Sequence, residues 1–229
     1  MTTLYRSDRP VTLIGGGPVD PAELAAALAL APEVVAADSG AHTPLPPEHQ
    51  LRMVIGDLDS LDDADALRAR GVAVHRISEQ LSTDLEKCQR SIAAPLIIGL
   101  GFLGGRIDHQ LAALNAAVRH PAPPLLLVGG DDLCFRLPED FAIDLPAGTR
   151  VSLFPMREVR GTRSTGLRWP VEGLVLAPDG RVGTSNVATG GRVQIGFAPA
   201  GMLVILPAQF LAAVAEVLAR PAVSPPDER

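Results

Sequence analysis

What most constrains this chain is a unit repeated through its first half: a short apolar run that leaves through a polar or glycine-rich cluster into a helical segment. Val11-Thr12-Leu13-Ile14 runs into Gly15-Gly16-Gly17-Pro18, the run at 34–37 into Asp38-Ser39-Gly40-Ala41-His42, and the run at 53–55 into Gly56-Asp57-Leu58-Asp59-Ser60. Runs at 72–77, 96–100 and 125–128 follow the same plan. Between them helices are predicted over 21–31, with Asp20 as N-cap and Pro21 at the first position, over 62–70, from a Ser82 or Thr83 cap to about 92, and over 106–119. Apolar strands this short, alternating with helices, predict a parallel sheet covered on both faces. Ligands of such sheets bind beyond the carboxyl ends of the strands, and the polar clusters fall there.

The pattern changes near Pro138. From Thr149 onward helical periodicity gives way to short β-like pieces at 150–154, 173–176, 192–197 and 202–206, separated by Gly and Pro. The expected architecture is therefore α/β: an N-terminal three-layer, Rossmann-like parallel-sheet domain (1–137), a linker (138–148), and a small all-β sandwich or barrel-like domain (149–220) closed by a helix at 208–220. A disordered tail is expected at 221–229.

Composition narrows the function classes. With 229 residues, 47% of them hydrophobic, the chain can bury one large core or two small ones. A net charge of −6 with no basic run argues against a nucleic-acid partner. Cys88 and Cys134 are too few and too far apart for a disulfide framework or a zinc cluster. Residues 1–10 lack a signal-peptide core, and the longest apolar window, 93–105, is too short and glycine-rich to span a bilayer, so the expected location is cytoplasmic with no membrane partner.

Asp57 and Asp59, two apart at a strand end, point to the same side of an extended segment and can share one cation. Mg²⁺ suits them, since it takes one or two protein carboxylates and fills its other positions with water and phosphate oxygens; a turn with two solvated aspartates is the alternative. There is no Walker A pattern, and Gly15–Asp20 lacks the third glycine of a dinucleotide fingerprint. That leaves the glycine-rich loop at 101–105 and Arg106 to hold an anion at a helix start, or else to form a helix-entry turn with a surface arginine. Asp108 and His109 read as a helix-start acid and a partnered histidine, or as part of that anion site. Asp84 and Lys87, three apart on one helix face, are either an ordinary surface pair or, beside a metal, a cleft acid and a mobile cation for polyphosphate. Gly183-Thr184-Ser185-Asn186 reads as a hairpin-like turn, and Trp169 as a core or interface anchor.

Taken in order, Ala37-Asp38-Ser39-Gly40-Ala41-His42, Gly56-Asp57-Leu58-Asp59-Ser60, Glu79-Gln80-Leu81-Ser82-Thr83-Asp84-Leu85-Glu86-Lys87, Gly104-Gly105-Arg106-Ile107-Asp108-His109 and Gly183-Thr184-Ser185-Asn186 resemble the thiamine pyrophosphokinase family over roughly residues 11–206. The resemblance implies a homodimer with sites between subunits, and Mg²⁺-dependent transfer of the pyrophosphoryl group of ATP to the hydroxyl of thiamine. It implies Asp57, Asp59 and Asp84 as metal ligands, with Lys87 and Arg106 neutralising phosphate charge. Asp38, Gln80, Lys87, Arg106, Asp108 and His109 would contact ATP, Ser185 and Asn186 thiamine, and Trp169 thiamine or the subunit interface. Two positions depart from the family pattern, His42 in place of Asn and Leu81 in place of Asp. The rival readings are a Mg²⁺-dependent nucleotide pyrophosphohydrolase using the same carboxylates, and a thiamine or nucleotide sensor that binds without catalysis.

Overall fold

The computed structural model describes residues 2–220, so the tail expected at 221–229 lies outside the described residues. The first half contains β1 (Tyr5–Arg6), β2 (Val11–Ile14), α1 (Pro21–Leu30), β3 (Glu33–Ala37), a 3-10 turn (Asp38–His42) and β4 (Leu51–Gly56). It continues with α2 (Ala64–Ala69), β5 (Ala73–Arg76), α3 (Asp84–Ser91), β6 (Ile92–Ala93), β7 (Ile97–Leu100), α4 (Ile107–Arg119) and β8 (Leu125–Gly129). The caps follow local chemistry. Asp20 accepts the amides of Ala22 and Glu23 at the start of α1, and Thr83 forms a capping box with Glu86 at the start of α3.

The second half comprises β9 (Asp132–Arg136), β10 (Ala142–Leu145), β11 (Arg150–Pro155), β12 (Val159–Thr165), β13 (Val175–Leu176), β14 (Gly183–Val187), β15 (Gly191–Ala198), β16 (Met202–Pro207) and α5 (Leu211–Ala219). Strands β3, β4 and β5 pair in parallel. A seven-stranded mixed sheet runs β14-β11-β16-β9-β8-β7-β2, and a four-stranded antiparallel sheet runs β10-β15-β12-β13.

The fold is therefore a mixed α/β architecture, and two expectations are corrected. The large sheet is not parallel throughout, because β9 turns back antiparallel to β8 and pairs on its other edge with β16, joining strands from before 137 and after 148 in one ladder. The segment expected as a linker, 138–148, holds β10, which pairs with β15. Pro138-Glu139-Asp140 had the look of a break, but Phe141, Ile143 and Leu145 behind it are buried at the period of a strand.

The same two-residue period assigns the sheet's faces. Leu126, Val128, Leu133 and Phe135 face a core shared with α1, α5 and the four-stranded sheet, whereas Leu125, Leu127 and Cys134 face a core shared with α3 and α4. Both cysteines are free and buried. Among the described residues no helix is long and apolar enough to cross a membrane.

Candidate active site

Strands β2, β3, β4, β5 and β7 all release their chains at one edge, and a cleft of about 690 Å³ opens there. Its walls include Gly16, Gly17, Asp38, Ser39, Asp57, Asp59, Gln80, Asp84, Lys87, Phe102, Arg106 and His109. The loops meet closely. Gly17 donates its amide to the Gly101 carbonyl at 2.9 Å, and a Cβ on Gly40 would sit 2.1 Å from the Ile14 carbonyl oxygen, so only glycine lets the β3 turn approach the end of β2.

At the base of the cleft, Asp38, Asp57 and Asp59 each bring a carboxylate oxygen within 4.8 Å of the other two. Asp38 is only 6% exposed, and its Oδ1 is buried without a hydrogen-bond partner. Burial, reinforced by the charges of Asp84, Asp57 and Asp59, pushes its pKa up to about 6. Backbone geometry is unusual at the same place: Asp38 has φ 46° and Leu58, between the other two aspartates, has φ 62°. Left-handed backbone at a leucine is strained, and such strain concentrates where function fixes the geometry.

Lys87 is 2% exposed and sits against this cluster, with Nζ 3.0 Å from Asp84 Oδ1 and 3.5 Å from Asp57 Oδ2. Burial works to lower its pKa, but the Asp84 hydrogen bond and the charges of Asp84 and Asp57 outweigh it, so the ammonium is held above its ordinary value. Asp57 also accepts Gln80 Nε2 at 3.2 Å and the Asp59 amide at 3.2 Å. Burial favours its protonation, yet these bonds and Lys87 keep its carboxyl below the ordinary range. A buried unpartnered carboxylate oxygen among clustered acids fits a hard divalent cation, whose ligands are oxygens.

The expected site residues separate into groups. Asp57 and Asp59 come together as expected, but the third carboxylate of the triplet is Asp38, while Asp84 is paired with Lys87. Arg106 and His109 line the cleft. Asp108 does not; it holds the Arg106 guanidinium through contacts of 3.1 and 2.6 Å. Gly15-Gly16-Gly17, set aside on sequence as an anion site, contributes Gly16 and Gly17 to the wall. His42 meets Asp63 at 3.1 Å, and Leu81 is 98% exposed.

The hairpin-like turn expected at 183–186 is instead strand β14, paired with β11 across a register shift. The shift arises at Ser185, whose φ is 62° and whose amide donates to Ser152 Oγ at 3.0 Å. Asn186 is buried: its Nδ2 donates to the Trp169 carbonyl at 2.7 Å, and its Oδ1 accepts the Trp169 and Val187 amides. It thus holds Trp169, whose ring is half exposed with the Arg168 guanidinium 4.9 Å from its centroid. Trp169, Thr184 and Asn186 border a second cavity of about 140 Å³ that shares no lining residue with the large cleft.

Fold and site together define a mixed α/β protein with a carboxylate-rich, glycine-walled cleft at the carboxyl ends of parallel strands. Residues 25–126 match the thiamin pyrophosphokinase catalytic domain, and residues 136–199 match the thiamin pyrophosphokinase vitamin B1 binding domain. The chain belongs to the thiamin pyrophosphokinase family. It is 27% identical over 161 residues to thiamine pyrophosphokinase 1 of Oryza sativa subsp. japonica, an alignment covering 62% of this chain and 61% of that protein. Against thiamine pyrophosphokinase 2 of Arabidopsis thaliana, identity is 28% over 59% of this chain and 57% of the relative. The chain thus spans about three fifths of the length of the curated relatives it matches. Among solved structures, thiamin pyrophosphokinase from Candida albicans aligns with a TM-score of 0.71 at 15% identity, covering 89% of this chain and 92% of that one. The Geobacillus thermodenitrificans protein aligns at 0.68 and 22% identity, covering 86% and 96%.

Proposed function

We propose that this chain is a thiamine diphosphokinase, transferring the pyrophosphoryl group of ATP to the hydroxyl of thiamine with release of AMP. The observation that carries the reading is the Asp38, Asp57 and Asp59 triplet beside buried Lys87, in a cleft large enough for a nucleoside triphosphate. In this reading Asp38, Asp57 and Asp59 hold Mg²⁺, with Asp84 next to them. When bound, the ion supplies charge neutralisation and alignment of the phosphate oxygens. Lys87, anchored by Asp84 and Asp57, presents fixed positive charge to the transferred group. Arg106 leaves Asp108 for phosphate oxygens, which its planar fork can bind in pairs. Gly16 and Gly17 let the triphosphate approach the backbone. Catalysis of this kind is mostly positioning and electrostatic stabilisation, which these side chains supply without a dedicated base.

Residues 1–137, read as a Rossmann-like nucleotide unit, and 149–220, read as a β-sandwich that takes thiamine, divide the substrates between them. Trp169 offers an aromatic face for thiamine, and Asn186 acts by holding Trp169. In this reading the complete site is formed by two chains of a cytoplasmic homodimer, as the family resemblance implies, and the lack of a lining residue shared by the Trp169 cavity and the cleft within one chain supports it.

Incubation of the purified protein with ATP, Mg²⁺ and thiamine, with products identified by mass, tests the activity. Thiamine diphosphate and AMP are expected. AMP and pyrophosphate without thiamine diphosphate would establish the pyrophosphohydrolase instead, and unchanged substrates would establish the sensor.

A further inference from the structure

The segment between β5 and α3 contains no helix or strand, yet it delivers Gln80, Ser82 and Thr83 to the cleft. Nothing apolar anchors its tip, where Leu81 is 98% exposed. Polar contacts must therefore fix it, and they converge on one carboxylate. Glu79 Oε2 accepts the amides of Leu81 at 2.7 Å and Ser82 at 3.1 Å, while Oε1 accepts the Ser82 hydroxyl and Arg90 Nη2, the latter at 3.1 Å. Arg90, in the last turn of α3, also donates to Ser82 Oγ at 2.6 Å and to the Glu86 carbonyl at 3.2 Å. Its guanidinium thus ties the loop back along the helix that carries Asp84 and Lys87. Neither Glu79 nor Arg90 lines the cleft.

We propose that Glu79 and Arg90 form a positioning clamp that sets Gln80 against Asp57 and so governs how tightly the cleft holds a divalent cation. The link is the Asp57 Oδ2 oxygen, which accepts both Gln80 Nε2 at 3.2 Å and Lys87 Nζ at 3.5 Å. With Gln80 in place, the Asp57 carboxylate is oriented by a neutral donor as well as by the ammonium. With the loop released, the Asp57 Oδ2 oxygen keeps only the longer contact with Lys87, whose shorter one is to Asp84, and the carboxylate loses the second donor that fixes its orientation toward Asp38 and Asp59. The Ser82 hydroxyl and the Leu81 and Ser82 amides help hold the Glu79 carboxylate ionised, so the clamp persists through the neutral range. The proposal rests on reading the triplet as a cation site, and it extends that site to two side chains outside the cleft.

The test is a double-mutant cycle read by Mn²⁺ binding, followed by electron paramagnetic resonance on the purified chain without nucleotide. Partners outside the ligand shell typically alter metal affinity by about 10–100-fold, and Arg90→Ala is expected near the lower end of that range, about tenfold weaker. In a Gln80→Ala background the same change should cost nothing further, because the clamp acts through Gln80. Glu79→Gln, which keeps shape and loses charge, should reproduce the loss and covers the case in which Arg90→Ala does not fold. Additive losses in the double variant, or wild-type affinity in Arg90→Ala, would overturn the clamp. Product formation is measured in parallel. A cycle that couples as expected in a protein making no thiamine diphosphate would support the clamp and overturn the reaction proposed above.

Discussion

Asp38 should be a residue that the ion-free protein is more stable without. It is 6% exposed, it carries an unpartnered buried oxygen, and burial, reinforced by neighbouring carboxylates, raises its pKa to about 6. The gap from an ordinary aspartate near 3.9 corresponds to about 3 kcal/mol at 1.36 kcal/mol per unit. The folded state binds this proton more tightly than the unfolded chain does. The associated stability is therefore fully present below about pH 4 and lost as pH rises through about 6. Asp38→Asn keeps the shape and tolerates the left-handed φ of 46°, since Asn enters that region as readily as Asp. In EDTA at pH 7.5 the variant should gain about 1.5–3 kcal/mol, the upper value being the full linkage energy and the lower allowing for the amide's own need for a partner. In a chain of this size that raises Tm by roughly 3–12 °C. At pH 4 the two proteins should melt together. Mg²⁺ should reverse the order at pH 7.5 by stabilising the wild type alone. Thermal unfolding followed by circular dichroism across these conditions decides the matter. An Asp38→Asn protein no more stable than wild type in EDTA at pH 7.5 would refute the claim that this carboxylate is held against its own preference.

Three further outcomes follow from the site. Asp57→Asn or Asp59→Asn should lower kcat by about 10²–10³ while leaving the fold intact, as loss of a preorganised charge does; near-normal turnover at limiting Mg²⁺ would remove the pair from the site. Arg106→Lys keeps the charge but loses the fork now engaged by Asp108, so kcat/KM for ATP should fall about tenfold, and an unchanged value would make Arg106 a surface residue. Asn186→Ala should cost about 1–3 kcal/mol of stability by stranding the Trp169 backbone, and it should raise KM for thiamine more than KM for ATP. Equal effects on both substrates would refute the division of labour between the two halves.

Much of the site was legible because the parallel-strand rule turns one-dimensional spacing into a place. Asp38, Asp57, Gln80 and Arg106 follow different strands, and a sheet whose strands release their chains at one edge brings them together. The same rule could not say which three acids would draw their carboxylates together. The family resemblance points to Asp84, on a helix face with Lys87, but their spacing is also what pairs the two side chains at 3.0 Å, and it is Asp38 whose carboxylate gathers with those of Asp57 and Asp59. The second half was harder for a different reason. Its strands are short, and the segment at 138–148 opens with a proline and two acids, a local signal that reads as a linker and masks its buried alternate residues. Joining β9 to β16 in one ladder is a long-range choice that no local window contains.

The backbone carries a signal that neither spacing nor composition reveals. Asp38, Leu58 and Ser185 are the non-glycine residues with left-handed φ among the described residues. Two of them lie within the carboxylate triplet's own loops, and the third shifts the register of β14 next to Asn186 and the Trp169 cavity. Such conformations persist only where surrounding structure over-determines them. Here the over-determination can be traced, because Gly40 and Gly56 allow the close loop contacts around Asp38, and the Ser152 hydroxyl receives the Ser185 amide. Glycine at 40 is therefore a requirement of the carboxylate triplet's geometry as much as of the fold. A side chain there would press the β3 turn away from Ile14, and Asp38, at the start of that turn, would move with it.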